Sequence, residues 1–120
     1  MKTLNETGIL GENLAYNFLQ KQGYKMLARN WNDNKYEIDI ICETKDELVF
    51  VEVKTKKSND KRDPSIFVDR NKQQYMIKSM KDYVNRYPTK KKIRFDVVSI
   101  TIKGDDVSIR HIHPAFFYIA

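Results

Sequence analysis

With 120 residues, 41% of them hydrophobic and 32% charged, the chain fits one compact domain (residues 1–120). A domain of this size can bury roughly two thirds of its unfolded surface, and its single cysteine, Cys42, excludes an intramolecular disulfide and suits a reducing compartment. The net charge of +6 favours polyanions, nucleic acid foremost, while the lack of a run of roughly 18 apolar residues or of an N-terminal apolar signal core leads us to expect a cytoplasmic protein with no membrane partner.

Leu10, Leu14, Ala15, Phe18 and Leu19 recur at helical spacing, which predicts a helix over Thr7–Gln22 that Gly23 stops. Tyr24–Asn30 reads as a short strand, and Trp31–Lys35 as a turn. Tyr36–Cys42 and Leu48–Thr55 are dense in Ile, Val and Phe and predict two strands; a polar loop, Lys56–Pro64, follows. A second helix is expected from Asp69 or Arg70 to Tyr87, with Met76, Ile77, Met80 and Val84 on one stripe and Pro88 beyond its end. Ile93–Ile102 is a long strand, Gly104-Asp105-Asp106 a turn and Val107–His113 a last strand. Pro114–Ala120 is expected to form a short helical tail. This order predicts an α/β fold, a mixed sheet with helices on its faces, and a crossover between the third and fourth strands.

Side chains alternate faces along a strand, which groups Ile38, Ile40 and Cys42 against Glu37, Asp39 and Ile41. In the next strand Val49, Val51 and Val53 oppose Leu48, Phe50, Glu52 and Lys54. Burying both aliphatic faces together constrains a hairpin register that pairs Glu43 with Leu48, Ile41 with Phe50, Asp39 with Glu52 and Glu37 with Lys54. Two carboxylates side by side on such a face repel, and a hard divalent cation, Mg²⁺ or Mn²⁺, relieves that repulsion. Lys54 on the same face could orient or help deprotonate a water, the equipment of metal-assisted phosphodiester hydrolysis. The same residues also suit the solvated face of an ordinary hairpin.

The string Glu37-Ile38-Asp39-Ile40-Ile41, followed by Leu48-Val49-Phe50-Val51-Glu52-Val53-Lys54, resembles the core of PD-(D/E)XK nucleases. Gly11-Glu12 with Ala15, Gly23-Tyr24, Arg29-Asn30, Lys72, Arg94-Phe95-Asp96-Val97-Val98, His111-Ile112 and Ala115-Phe116 extend the resemblance over nearly the full length to the bacterial YraN family. Those are endonuclease-like proteins, distantly similar to archaeal Holliday-junction resolvases. The resemblance implies a restriction-endonuclease-like three-layer core of order αβββαβ, here with a last strand and the short tail. It implies Asp39, Glu52, the Val53 carbonyl and Glu12 as metal ligands, and Lys54 as the catalytic lysine acting with Asp39, Glu52 and Glu12. It also implies DNA, branched or otherwise structured, as substrate. A junction has two strands to cut, so a homodimer is the assembly that would serve it. Independently of the resemblance, Glu12 lies beside Leu19 at the edge of the apolar stripe of the first helix. Three features depart from the pattern: Tyr36 where a glycine is usual, Lys56 and Lys57 where an arginine is often found, and no glycine near Pro64.

Lys72 and Gln73, with Lys56 and Lys57, are candidate nucleic-acid contacts, Gln73 as the polar residue expected to face phosphate. His111 and His113 share a strand face but have no Cys or His near them in sequence, which favours a packing or surface role over metal binding. Cys42 reads as core, not nucleophile, and Asp96 as structural. Tyr16, Tyr24, Trp31, Tyr75 and Tyr83 could stack bases, but most suit packing equally well.

Overall fold

The computed structural model describes residues 6–33, 36–57 and 68–118. In chain order they form α1 (Glu6–Lys21), β1 (Lys25–Asp33), β2 (Tyr36–Glu43), β3 (Glu47–Lys57), α2 (Arg70–Arg86), β4 (Lys92–Lys103) and β5 (Asp106–Phe116). The sheet order is β1-β2-β3-β4-β5, and among the described residues β3 and β4 are the one parallel pair. A parallel pair cannot be closed by a tight turn, so α2 makes the crossover between them. This is the α/β three-layer arrangement expected, α1 on one face and α2 on the other. Among the described residues no helix is long and apolar enough to cross a membrane.

Each helix end has a local cause. Beyond α1, the Gly23 N–H donates to Gln20 O and the Tyr24 N–H to Leu19 O, with Gly23 at φ +97°, a left-handed conformation that suits glycine. At the other helix, the Asp69 carboxylate accepts the Lys72 N–H at 2.9 Å and caps the first turn of α2.

Two apolar clusters sandwich the sheet. Ala15 and Leu19 of α1 pack on Ile40, Val49, Val51, Val53 and Val98, while Met76, Met80 and Tyr83 of α2 pack on Ile38, Leu48, Phe50, Phe95 and Val97. The central strand β3 is therefore buried on both faces along Leu48–Val51, which explains its unbroken apolar run. Glu52 is the first polar residue to interrupt that run.

The close seat of α1 makes a prediction. A Cβ built on Gly11 would lie 1.9 Å from Thr55 Oγ1 and 2.8 Å from Thr55 Cβ and Cγ2. Threonine branches at Cβ and cannot swing aside, so Gly11→Ala should cost roughly 1–3 kcal/mol despite alanine's better helix propensity. Thermal melting should show the loss, and adding Thr55→Ala should recover part of it. An unchanged melting temperature for Gly11→Ala would contradict this packing.

Two sequence expectations change. Trp31–Asp33 continue β1 instead of turning, because Trp31 packs edge-on against Tyr83 of α2, with ring centroids 5.4 Å apart. Pro114–Phe116 extend β5 and form no helical turn, because Phe116 stacks on Phe95 at 4.6 Å and 14° by following β4. Residues 58–64 of the expected polar loop lie outside the described residues, as do 65–67 and residues 119 and 120; Lys56 and Lys57 are the last residues of β3.

Candidate active site at the split between two strands

The ladder between β2 and β3 pairs Glu43 with Leu48, Cys42 with Val49, Ile41 with Phe50 and Ile40 with Val51. Beyond Ile40 no pairing follows, although β2 stays paired with β1 as far as Tyr36. The strands thus separate at Asp39. Opposite it on β1 stands Asn30, at φ +47°, a left-handed conformation that asparagine tolerates better than most residues. Both strands turn over at this step. Arg29 reaches Asn13 of α1 at 2.7 Å while Trp31 packs on α2, and Ile40 enters the α1-side core while Ile38 enters the α2-side core. Regular alternation, which would put Ile38 and Ile40 on one face, fails here for that reason.

Asp39, 2% exposed, uses its carboxylate where the ladder stops: Oδ2 accepts the Val53 N–H at 2.8 Å. It is also in hydrogen-bonding contact with the Glu52 side chain. The proximity of the two carboxylates expected from strand parity is therefore made by side chains and not by a ladder pair. Burial first, then the hydrogen bond and charge of Asp39, push the Glu52 carboxyl from its ordinary 4.5 up to about 8, against the pull of Lys72. Lys72 Nζ lies 3.1 Å from Glu52 Oε2, with the Glu52 side chain 12% exposed. Near neutral pH the pair favours sharing one proton over carrying two negative charges.

Register between β3 and β4 is unbroken from Glu47 to Lys57, so Lys54 shares the α2-side face with Glu52. Lys54 and Lys56 are half-buried, Lys57 exposed. On the other side of the split, Glu12 is 3% exposed, one residue after the Gly11 that rests on Thr55. With its amide nitrogen turned toward them, Asn30 donates to Glu12 Oε1 at 3.1 Å and to Glu37 Oε1 at 3.0 Å. Asn30 therefore ties the α1 acid to the strand that carries Asp39. Strand patterning gave no reason to select Asn30 as a site residue; the Arg29-Asn30 motif was the available signal.

The other candidates are placed as follows. Val53 is buried and contributes its N–H to Asp39. Lys72 serves as the partner of Glu52, a role the sequence did not suggest. The Gln73 side chain donates to Val68 O at 2.7 Å, which engages its amide within the chain. His111 packs edge-on against Phe18 and Tyr24 and meets Asp96 Oδ2 at 2.7 Å. Cys42 is buried, and burial above all pushes its thiol up to about 12, far from a reactive thiolate. Among the described residues no three His, Cys, Asp or Glu side chains converge as a ready metal cage.

The model of the uncharacterised protein family UPF0102 matches residues 11–100, a span that runs from Gly11 through the split strands to Ile100. This chain belongs to the UPF0102 family. It is 40% identical over 114 residues to a UPF0102 protein of Flavobacterium psychrophilum, covering 95% of this chain and 96% of that one. It is 41% identical over 119 residues to a UPF0102 protein of Flavobacterium johnsoniae, with the same coverage of each. A UPF0102 protein of Nitratidesulfovibrio vulgaris is 36% identical over 111 residues, 92% of this chain and 83% of its own. The family is the one that the full-length resemblance read from the sequence pointed to.

Proposed function

We propose that this UPF0102 protein is a Mg²⁺- or Mn²⁺-dependent endonuclease that hydrolyses phosphodiester bonds of DNA. The observation that carries the reading is the buried contact of Asp39 with Glu52 at the strand split, with Lys54 on the face of Glu52. Two carboxylates that close, one of them pushed toward its protonated form by burial and by the other, are a cation seat filled by a proton. Mg²⁺ fits such a donor set, since it is usually held by one or two carboxylates and keeps water and phosphate oxygens as its remaining ligands. Asp39, Glu52 and the Val53 carbonyl would hold the ion, with Glu12 approaching from α1. Bound there, it would polarise the phosphate and lower the pKa of a water.

The chain's own residues do the rest. The Val53 N–H and the turn of both strands at Asn30 fix the Asp39 carboxylate. Lys54 orients the attacking water or takes its proton. Lys72, which lies 3.1 Å from Glu52 in the protein alone, would meet phosphate where a cation takes its place beside that carboxylate. Lys56 and Lys57 add positive charge at the same end of β3, and attraction for the phosphate backbone follows.

A second reading is a nucleic-acid-binding module of nuclease ancestry that does not cut. The Lys72–Glu52 ion pair favours it, because an internal ammonium already compensates the carboxylate. Purified protein and its Glu52→Gln variant, incubated with duplex, single-stranded and four-way-junction DNA in Mg²⁺, Mn²⁺ or chelator, decide between the two. Cleavage by the wild type alone, and only with metal, supports the endonuclease. Binding that persists in chelator with no cleavage in either metal selects the module.

A further inference from the structure

Five aromatic residues suggested base stacking in the sequence, and the fold engages four of them. Trp31 and Tyr83 pack on each other at 5.4 Å. Tyr24 accepts a hydrogen bond from Arg94 at 2.6 Å, and Tyr16 lies beneath the Arg29 guanidinium. Tyr75 differs. It is 47% exposed, on α2. One of its faces is covered by Tyr36, with ring centroids 4.7 Å apart and planes 24° from parallel. Lys78 Nζ sits 5.2 Å from the Tyr36 ring centroid and helps hold that ring in place. A stacked ring that is still half exposed offers its second face to solvent.

Tyr75 also lines an open cleft of about 410 Å³, together with Asp69, Arg70, Asn71 and Lys72. The volume falls in the roughly 300–1,000 Å³ range of small-ligand sites. Asp69 is engaged in capping α2, and the lining sets the two cations Arg70 and Lys72 against that one carboxylate. Lys72 is also the residue 3.1 Å from Glu52, so cleft and candidate catalytic carboxylate share one side chain. A rigid π surface next to two cations suits a planar heterocycle joined to a phosphate. A base within a duplex has both faces covered by its neighbours and cannot use such a surface; an unpaired base can.

We infer that Tyr75, backed by Tyr36, is a stacking platform for one unpaired nucleobase beside the cleavage centre, so that the preferred substrates carry unpaired nucleotides. The inference rests on the nuclease reading for the position of the scissile bond, but not for the stacking itself.

Binding by the full chain, measured in chelator by fluorescence anisotropy, tests it without cleavage. The probes are a labelled single strand, the same strand in duplex, and a duplex with a single-stranded flap. Tyr75→Ala should weaken single-strand and flap binding about tenfold and change duplex binding less than twofold, and Tyr75→Phe should bind like the wild type. Melting curves establish that both variants are folded. Equal weakening on all three probes, or no weakening on any, overturns the platform while leaving a nuclease standing. The expected pattern with no metal-dependent cleavage by the wild type would confirm the platform and remove the nuclease. Absence of wild-type binding to every probe would overturn the platform and leave the nuclease to the cleavage assay.

Discussion

Glu52→Gln should lower metal-dependent cleavage on the order of a thousandfold and at the same time stabilise the metal-free protein at alkaline pH. The two effects have one origin. Glu52 is 12% exposed, and that burial, together with its contact to Asp39, raises its carboxyl to about 8 in the fold. The unfolded chain releases that proton near 4.5, so the folded state binds it more tightly. Stability from this group is complete below about pH 4.5 and is lost as pH rises toward 8, at up to about 1.4 kcal/mol per pH unit. Glutamine does not titrate, keeps the shape and can still donate to Asp39. The variant's advantage over the wild type should therefore grow between pH 5 and pH 8 in chelator, as read by urea unfolding at each pH. Adding Mg²⁺ or Mn²⁺ should stabilise the wild type more at pH 8 than at pH 6, because the ion displaces a proton, and should do little for the variant. A constant difference across the pH range would remove the raised Glu52 from the account. Cleavage equal to wild type would remove its catalytic role.

Arg94→Met should destabilise the fold by roughly 3–5 kcal/mol, a fall of roughly 10–20 °C in melting temperature for a domain of this length. Asp96 is completely buried beneath α1, and Arg94 donates to both of its oxygens, Nε to Oδ1 at 2.9 Å and Nη2 to Oδ2 at 2.8 Å. The same guanidinium donates to Glu47 at 2.8 Å and to the Tyr24 hydroxyl at 2.6 Å. These bonds hold the arginine charged, above its ordinary pKa and against the cost of burial. Removing it leaves a buried carboxylate whose remaining side-chain partner among the described residues is His111. Replacing Arg94 by Met and Asp96 by Leu together should recover a large part of the loss, since apolar packing then substitutes for the ion pair. A double variant no more stable than Arg94→Met alone would show that the cost lies elsewhere, in lost contacts to Glu47 or Tyr24. The cluster lies on the α1 face and shares no residue with the carboxylates at the strand split, so surviving variants should keep their metal response.

How far the sequence could be read depends on the range of the forces involved. The hairpin register of Ile41 with Phe50 and Glu43 with Leu48 followed from burying two aliphatic faces, a local constraint, and the structure has it. The same rule pairs Asp39 with Glu52, and there it stops working, because the ladder ends one step earlier at Ile40 and Val51. Strand alternation assumes regular backbone, and Asn30 breaks it from a neighbouring strand. The tail, expected as helical, forms strand for a similar reason. Its apolar residues are equally suited to a helix or a strand, and the partner that decides, Phe95, lies about twenty residues earlier in the chain.

Residue types and spacing alone determined the order of elements, the crossover helix, the apolar central strand and the gathering of Asp39, Glu52 and Lys54 near one place. These depend on periodicity and turn chemistry, which act over a few residues. Tertiary structure decided how the carboxylates meet: through a side chain set into the gap where two strands part, with Lys72 of α2 against Glu52 and Asn30 of β1 joining Glu12 to Glu37. It also decided that Tyr75, of the five aromatic residues singled out in the sequence, stays half exposed. Each of those outcomes joins residues from separate elements, and burial and charge act on them only once the sheet has brought those elements together.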